Sequence, residues 1–486
     1  MAKFNRVLLV QLLHHEGPLK GTDPFISAGL GYIAESLNRE GIEYNYFDIG
    51  FGNIHSLLSK IEEFEPDLIG IRMMTFLYRK NYAIIKTIKT RFKDIKIVVG
   101  GPHISTMRKM VLEECEEIDF GIVLEGEETI IELCSGKELD AIKGLIYREN
   151  GTVRYTGNRE FIRNLDEVSY PKYKGFPLDR YFTSENTPIP IITSRGCPYK
   201  CIYCPVALAI GSKFRTREAS NVVDELEYWY SKGHVVFSIL DDNFTLVRKR
   251  VYEICDEIER RGLKGLTITC GNGVRADKVD KPLLQRMKEV GFTHLSFGVE
   301  AANNSVLHNL KKGEDIADIE RAVRLACELG FSVELFFMVG SPTETWEDIE
   351  DSVKLTLRYP ITNVKFFNII PYPHTELHDW LEKNNYLVYS PEDYLNNSSI
   401  HDEKPLFFTP ELSISDRVKA LRYTRGVSKL IRKREHMKKF ERYGVLADVL
   451  STLAVSDLVE NRLMTYSFTR RLLRKFGRLL TRSKSH

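Results

Sequence analysis

Short apolar runs alternate with amphipathic stretches of helical length through most of this chain, and that alternation limits the folds open to it. The first series covers residues 1 to about 135. RVLLVQLL gives way to GLGYIAESLNREG, EYNYFDIG to NIHSLLSKIEEF, DLIGIRMM to NYAIIKTIKTRF, and IKIVVGG to a further helix before FGIVLEG. Strands joined by helices this long require right-handed crossovers, which build a parallel, doubly wound, Rossmann-like α/β sheet. Ligands of such sheets sit beyond the carboxyl ends of the strands. The rim is therefore expected at GGPHIS (Gly100 to Ser105) and LEGEET (Leu124 to Thr129).

GLIYRENGTVRYTG places Asn150-Gly151 between alternating segments, a hairpin signal, and a stretch rich in Pro and Tyr follows to about residue 188. A second alternation then begins. Its strands are expected at IPIITS (189–194), VVFSIL (235–240), LTITC (266–270), THLSFGV (293–299), SVELFFMVG (332–340) and NVKFFNII (363–370), with helices such as RKRVYEICDEIERRG between them. Six such units form a partial parallel (β/α)6 barrel with its chemistry at the carboxyl-terminal rim. This divides the chain into a Rossmann-like domain at 1–140, a hairpin and linker at 141–184, a barrel at 185–400 and a helical basic extension at 401–486.

With 43% hydrophobic and 28% charged residues, the 486-residue chain has the composition of a soluble globular protein and can bury ample core. The apolar run near the start is interrupted by Gln11 and precedes no small-residue cleavage site, and no run of about 18 apolar residues occurs, so the cytoplasm is the expected compartment. The net charge of +2 conceals an asymmetry. Residues 417 to 486 carry 19 Lys and Arg against 5 Asp and Glu, a surplus of 14, which leaves −12 for the rest.

Eight cysteines are too sparse for a disulfide scaffold, and three of them crowd into ITSRGCPYKCIYCP, residues 192 to 205. Thiolates spaced by four and three residues on one loop suit an iron-sulfur cluster, because sulfur is a soft ligand. Structural zinc would want a fourth ligand, for which Cys255 and Cys270 are candidates without ligand-like spacing.

CPYKCIYC matches the CxxxCxxC pattern of the radical S-adenosylmethionine (SAM) enzymes, and the resemblance extends over about 185 to 390. It implies that Cys197, Cys201 and Cys204 bind a [4Fe-4S] cluster, that SAM chelates the remaining iron, and that reductive cleavage yields a 5′-deoxyadenosyl radical. A low-potential electron donor such as a flavodoxin or ferredoxin is implied as partner. Tyr203 resembles the aromatic that packs near adenine. Asp241 and Asp242 of DDNFT occupy the strand end where many members carry Gly-Gly-Glu, here without the glycines. Arg275 of NGVRAD, Glu300 of FGVEAA and Gly340 of FFMVGSPTET look like the family's later SAM-lining segments. A carboxylate just past a buried strand, as at Glu300, needs a partner or a function.

Residues 1–140 resemble the cobalamin-binding domain fused in front of a large radical SAM subgroup, through GLGYIAESLNREG, PDLIGIRMM, VVGGPH and the acidic GEE segment. Glycines at a strand end let backbone approach a flat corrin, so Gly100 and Gly101 are the leading cobalamin contacts, with Glu125 and Gly126 on the neighbouring rim. None of the 12 histidines sits in the Asp-x-His-x-x-Gly setting of another cobalamin family, so His103 either lines the site or caps the next helix. Arg72 lies in an otherwise buried strand, where an unpaired charge is costly. It either pairs with a neighbouring acid or lies under the corrin, where a guanidinium has no lone pair to offer cobalt.

In the basic tail, Met464, Phe468, Leu472, Phe476 and Leu479 recur at helical spacing, with Arg470, Arg471, Arg474, Lys475, Arg478 and Arg482 on the remaining faces. This suits a helix lying on an anionic membrane, which would make the enzyme peripheral at the inner face. The rivals are a helix packed on the barrel and a nucleic-acid contact. The acidic remainder and the lack of an RNA-binding motif make nucleic acid the least favoured partner.

The resemblance implies an enzyme that methylates an unactivated carbon of a small molecule or lipid, through the radical and methylcobalamin. Cyclisation or another carbon-skeleton change on a lipid or isoprenoid is the alternative, and a cobalamin or redox sensor the non-enzymatic one. Methylthiolation would call for a second three-cysteine cluster, yet residues 1–150 hold only Cys115 and Cys134.

Overall fold

A computed structural model describes residues 3–12, 25–182, 187–397 and 403–456, with the single positions 458, 459 and 473. The candidate tail helix from Met464 to Arg482 therefore lies outside the described residues. The first sheet contains β1 (Arg6–Gln11), β2 (Glu43–Asp48), β3 (Leu68–Arg72), β4 (Lys96–Gly100), β5 (Phe120–Ile122), β6 (Leu145–Glu149) and β7 (Thr152–Tyr155). Its order is β2-β1-β3-β4-β5-β6-β7. The first five strands are parallel, so the doubly wound expectation holds. The Asn150-Gly151 hairpin does not stand apart as a linker: β6 pairs antiparallel with β5 and extends this sheet.

The strand order reverses between β1 and β3, which opens a crevice at their carboxyl ends. Register places Gln11 opposite Arg72, and Arg72 opposite Gly100. These three positions, not the later acidic rim, head the switch point.

The second sheet is fully parallel, ordered β15-β14-β13-β12-β11-β8, and among the described residues no strand closes the gap between its outermost members. It comprises β8 (Ile189–Ile191), β11 (Val236–Ile239), β12 (Thr267–Val274), β13 (Phe292–Glu300), β14 (Ser332–Val339) and β15 (Asn363–Asn368). Between β8 and β11 a two-residue ribbon pairs β9 (Ser194–Arg195) with β10 (Arg215–Thr216). Buried Val333, Leu335 and Phe337 alternate with Ser332, Glu334 and Phe336 along β14, one set under the outer helices and the other inside the arc. The partial six-stranded barrel is as expected.

Residues 158–182 are a strap, not a loose linker. Tyr173 is buried against Trp229 of the barrel, with ring centroids 5.9 Å apart, and it fits over Gly31, where any Cβ would overlap its ring. Further along, Tyr181 bonds Tyr46 (2.7 Å) and the Asp48 carboxylate, and Tyr44 bonds the Lys174 carbonyl (2.9 Å).

A buried ion cluster joins the sheets. Glu125 accepts from Arg195 (3.0 Å), Arg215 (2.7 Å) and the Ile162 backbone (2.9 Å), while Glu127 accepts from Arg195 (2.7 Å). Arg195 also lies over the Tyr32 ring and Arg215 over Phe161. Burial opposes the charge on Glu127, but Arg195 outweighs it and holds the carboxyl below its ordinary value. This corrects the cobalamin reading of Glu125, whose two oxygens are occupied by the seam. Gly126 is also reassigned: a Cβ there would crowd Ile33 (3.2 Å) and Ile122 (3.3 Å), so its smallness serves packing.

Replacing one member of a buried cluster strands its partners. Glu125→Gln is expected to cost roughly 3–5 kcal/mol of stability, read as a lower urea midpoint. An unchanged midpoint with weakened cobalamin binding would return Glu125 to a ligand role.

Candidate active site

The cysteine loop is built by constraint at each end. Gly196 adopts φ +85°, and a Cβ there would overlap the Lys213 carbonyl, so only glycine admits the turn. The Cys197 N–H donates to the Gly211 carbonyl (3.3 Å), and Cys204 N–H to the Cys201 carbonyl (3.1 Å). At the buried Ile202, N–H donates to the Leu310 carbonyl (3.1 Å) and C=O accepts from Leu377 (2.9 Å). The loop is thus anchored to two other barrel loops. Cys197, Cys201 and Cys204 are free and half-buried on it. Burial raises all three thiols, Cys204 to about 12, and the neighbouring Cys197 and Cys201 add to that rise.

The two adjacent acids separate. Asp241 is buried and accepts from Thr193 N–H (2.6 Å), Thr193 Oγ1 (2.5 Å) and Ser194 Oγ (2.5 Å), so it braces the end of β8. Asp242 is half-buried, and its charge is felt by Cys197 and Cys204. Burial, reinforced by Asp241, raises Asp242 to about 6. Asp242 is the acid that faces the cysteines.

Arg275 is likewise committed elsewhere than the SAM reading supposed. Its guanidinium donates to Asp277 (2.9 Å) and to the Lys312 (2.9 Å) and Gly313 (2.7 Å) carbonyls, and covers the Tyr199 ring at 3.6 Å. It clamps the cysteine loop to the 312–313 turn. Gly340 is another correction. At φ +87° its Cβ would overlap the guanidinium of Arg417, which donates to the Gly340 carbonyl (2.8 Å) from helix Ile414–Phe440. The glycine makes room for a buried arginine of the same chain.

Glu300 remains at the site, with φ +65° turning its carboxylate back over the rim. It accepts from Lys312 Nζ (3.0 Å), which also lies 3.6 Å from Glu314. Burial opposes the charge on Lys312, yet Glu300 and Glu314 outweigh it and hold the ammonium above its ordinary pKa. The hydroxyl of Tyr203 lies within reach of Glu300 and Cys201; burial first, then those charges, push it well above the usual tyrosine value. Sequence reasoning missed Lys312, because nothing distinguishes it from exposed Lys311 beside it, which pairs with Glu376 (2.6 Å).

Deeper in the arc, Glu334 accepts from Ser296 (3.3 Å) and Asn363 (2.5 Å) and pairs with Lys365 (3.0 Å). His294 bridges Ser332 and Ser296 beside it. Phe336 and Phe367 stand nearer the rim, with ring centroids 5.6 Å apart. The barrel interior therefore has a hydrogen-bonding floor below an aromatic level. Gly271, at the side, has no neighbour within 4 Å of a would-be Cβ, so the β12 wall is open there.

In the first domain, Gly100 has only the Ile122 carbonyl at 4.0 Å near its would-be Cβ, leaving open space beside the switch point. Gly101 has φ +103°, with Met73 backbone oxygen 3.0 Å from a would-be Cβ. Arg72 is half-buried and makes no hydrogen bond or ion pair among the described residues. The salt-bridge alternative fails because Asp48, the acid it feels, is occupied by Gln11 (2.9 Å), Gly50 (2.8 Å) and Tyr181. Burial lowers the Arg72 pKa, opposed by Tyr46 and Asp48. His103 is a buried pillar, stacked on Tyr78 at 4.6 Å with Nε2 3.2 Å from the Tyr82 hydroxyl. Its Nδ1 has no partner among the described residues. Helix Pro102–Met107 packs against helix Val206–Ala209, immediately after Cys204, so the GGPH turn and the cysteine loop adjoin.

The profile of the Radical SAM superfamily matches residues 191–356, and that of the B12 binding domain matches residues 22–134. A relative from Pyrococcus horikoshii, described as an uncharacterized methyltransferase, is 32% identical over 74% of this chain and 79% of its own length. The chain belongs to the radical SAM enzymes that carry a B12-binding domain. The anaerobic magnesium-protoporphyrin IX monomethyl ester cyclase of Cereibacter sphaeroides is 28% identical over 79% of this chain and 66% of its own. Among solved structures, the radical SAM methyltransferase TsrM of Kitasatospora setae shares the fold, with TM-score 0.72 and 22% identity over 86% of this chain and 90% of that one.

Membership brings a [4Fe-4S] cluster, SAM and cobalamin, and the residues fit them. Among the described residues no three His, Cys, Asp or Glu side chains converge on a single ion. A cluster instead spreads its thiolates over separate irons, which three free cysteines on a pinned loop can serve. For cobalamin, the open side of Gly100, the unpaired Arg72 guanidinium and the unsatisfied Oε1 of Gln11 meet at the switch point. Together they leave room and free polar groups at the place where this fold binds its ligands.

Cys201→Ala is expected to abolish bound iron and the brown visible absorbance while leaving the circular dichroism unchanged, which an iron assay on the purified chain checks. His103 yields a pH signature. Burial depresses it from 6.5 to about 3, so the folded state refuses a proton that the unfolded state accepts. Stability is full above about pH 6.5 and falls as pH drops towards 3, by about 2 kcal/mol at pH 5. Urea unfolding at pH 7.5 and pH 5 should show this loss in the wild type and not in His103→Phe.

Proposed function

We propose that this enzyme transfers a methyl group from SAM to carbon in a small molecule. The observation that carries the reading is the unpaired Arg72 guanidinium at the switch point, next to the open Gly100 and across from the cysteine loop. An arginine there offers cobalt no lone pair, which suits a carrier that must give up a methyl group. The methyltransferase relative from Pyrococcus horikoshii supports the same class.

When bound, the cluster, SAM and cobalamin supply one-electron cleavage of SAM and a methyl carrier. The chain's own residues provide the rest. Arg275 and the Leu310 and Leu377 backbones hold the cysteine loop rigid. Lys312 and Glu300 present a fixed pair of opposite charges at the rim, suited to a ligand with both an amino and a carboxylate group. The Phe336–Phe367 level admits an apolar portion of the substrate, and the floor of Glu334, Lys365 and His294 receives a hydrogen-bonding end. That floor favours a substrate with a polar group over a pure hydrocarbon. A flavodoxin or ferredoxin is the electron donor in this reading.

The cyclase relative keeps a second reading open, carbon-skeleton change without methyl transfer. Anaerobic reconstitution with cobalamin, a reductant, methyl-labelled SAM and extract of the source cell separates the two. Methyl transfer predicts label in a product carbon by mass spectrometry, together with 5′-deoxyadenosine. Deoxyadenosine with no labelled product would favour the cyclase reading and overturn this one.

A further inference from the structure

The helix Leu446–Ala454 is packed the wrong way round for a soluble protein. It follows helix Ile414–Phe440, which turns back through the short helix Glu441–Tyr443 and Gly444 at φ +53°. The two helices lie against each other, and Lys433 pairs with Asp448 at 2.7 Å across them. The face turned inward carries small residues, buried Ala447 and Ser451. The large apolar residues point outward, with Leu446 61%, Val449 53% and Leu453 52% exposed. Spacings of three and four put these three on one stripe. Val445, four residues before Val449, is 92% exposed and extends the stripe at its start, and Leu458 beyond the helix is 54% exposed. On the neighbouring helix, exposed Leu430 and Met437 lie three before and four after Lys433, on the side that reaches Asp448.

Cations lie at the amino-terminal end of this apolar strip. Lys438, Lys439 and Arg442 are exposed where the chain turns. Residues 414–456 hold eleven Lys and Arg against four Asp and Glu; of these Arg417 is buried in the barrel and Arg422 and Arg425 pair with Glu403, while the chain before residue 417 is net acidic. Among the described residues no helix is long and apolar enough to cross a bilayer. An apolar strip with a basic margin on a short helix suits the surface of an anionic bilayer, where the strip enters the headgroup boundary and the cations meet lipid phosphates. The acidic remainder of the molecule would be repelled from that surface, which fixes the orientation.

We infer that helix Leu446–Ala454 and the adjoining end of helix Ile414–Phe440 form a docking surface for anionic membrane lipid. The inference is independent of methyl transfer. It differs from the tail amphipathicity read in the sequence, because it rests on residues of a packed helical hairpin.

The test uses the full chain and two kinds of vesicle, phosphatidylcholine alone and phosphatidylcholine with phosphatidylglycerol. The wild type should sediment with the anionic vesicles and not the neutral ones, and high salt should release it. The combined variant Leu446→Ser, Val449→Ser and Leu453→Ser should weaken the partition about tenfold, with unchanged circular dichroism and thermal midpoint. Failure of the wild type to sediment, or an unchanged partition in the variant, would overturn the proposal. A wild-type dimer that the variant converts to monomer would assign the stripe to a second copy and also overturn it. So would a chain ending at Val459 that binds vesicles more tightly than the full chain, since residues 460–486 would then be the natural cover.

Discussion

The two sheets act as one enzyme because of the buried ion cluster between them. Two arginines on the ribbon before and after the cysteines, Arg195 and Arg215, reach two glutamates at the start of a first-domain helix, Glu125 and Glu127. Each charge is removed from water, so each is tolerated only while its partners stay in place. The bond therefore works as a distance rule. It brings the ribbon carrying the cysteine loop up to the acidic end of the first sheet, and so sets the GGPH turn beside the residue following Cys204. The strap at residues 158–182 reinforces the same alignment with neutral groups, through Tyr173 and Tyr181.

A useful division emerges among the charged and polar groups near the site. Asp241, Arg275 and Glu125 look functional by position, yet each is engaged by several of the chain's own backbone or side-chain groups. Arg72 and Asp242 are different, because burial has been imposed on them without partners that fully compensate. Lys312 and Glu300 form a third class, satisfied by each other but presented at the rim. Satisfied groups build the frame; under-satisfied ones are available to bind.

Strand periodicity and the cysteine spacing were legible because they depend on local chemistry. The parallel strands of the first sheet and all six barrel strands fall where apolar runs predict them. Side-chain partners were not legible, because they depend on residues far away in the chain. DDNFT cannot reveal that its first acid turns back to Thr193 and its second does not. GSPTET shows a glycine but not the Arg417 guanidinium that needs it. The lysine pair in NLKKGE gives no hint that one points inward to Glu300. Glu125, likewise, belongs to a rim that the topology made plausible, and only the position of Arg215 removes it from the cofactor. Even the hairpin, correctly read at Asn150-Gly151, was assigned to a linker because sequence does not say which edge a hairpin joins.

The Arg417 contact also bears on how the chain is made. The carbonyl of Gly340 lies at the end of β14, and the guanidinium that satisfies it stands 77 residues later. During synthesis the barrel strands emerge well before that arginine, so the rim at Gly340 has no lasting partner while translation continues. Glu344, buried beside it and pushed up to about 8 by that burial, accepts from the Gly340 and Ser341 amides. The carbonyl at the end of one barrel strand is thus completed by a helix made 77 residues later.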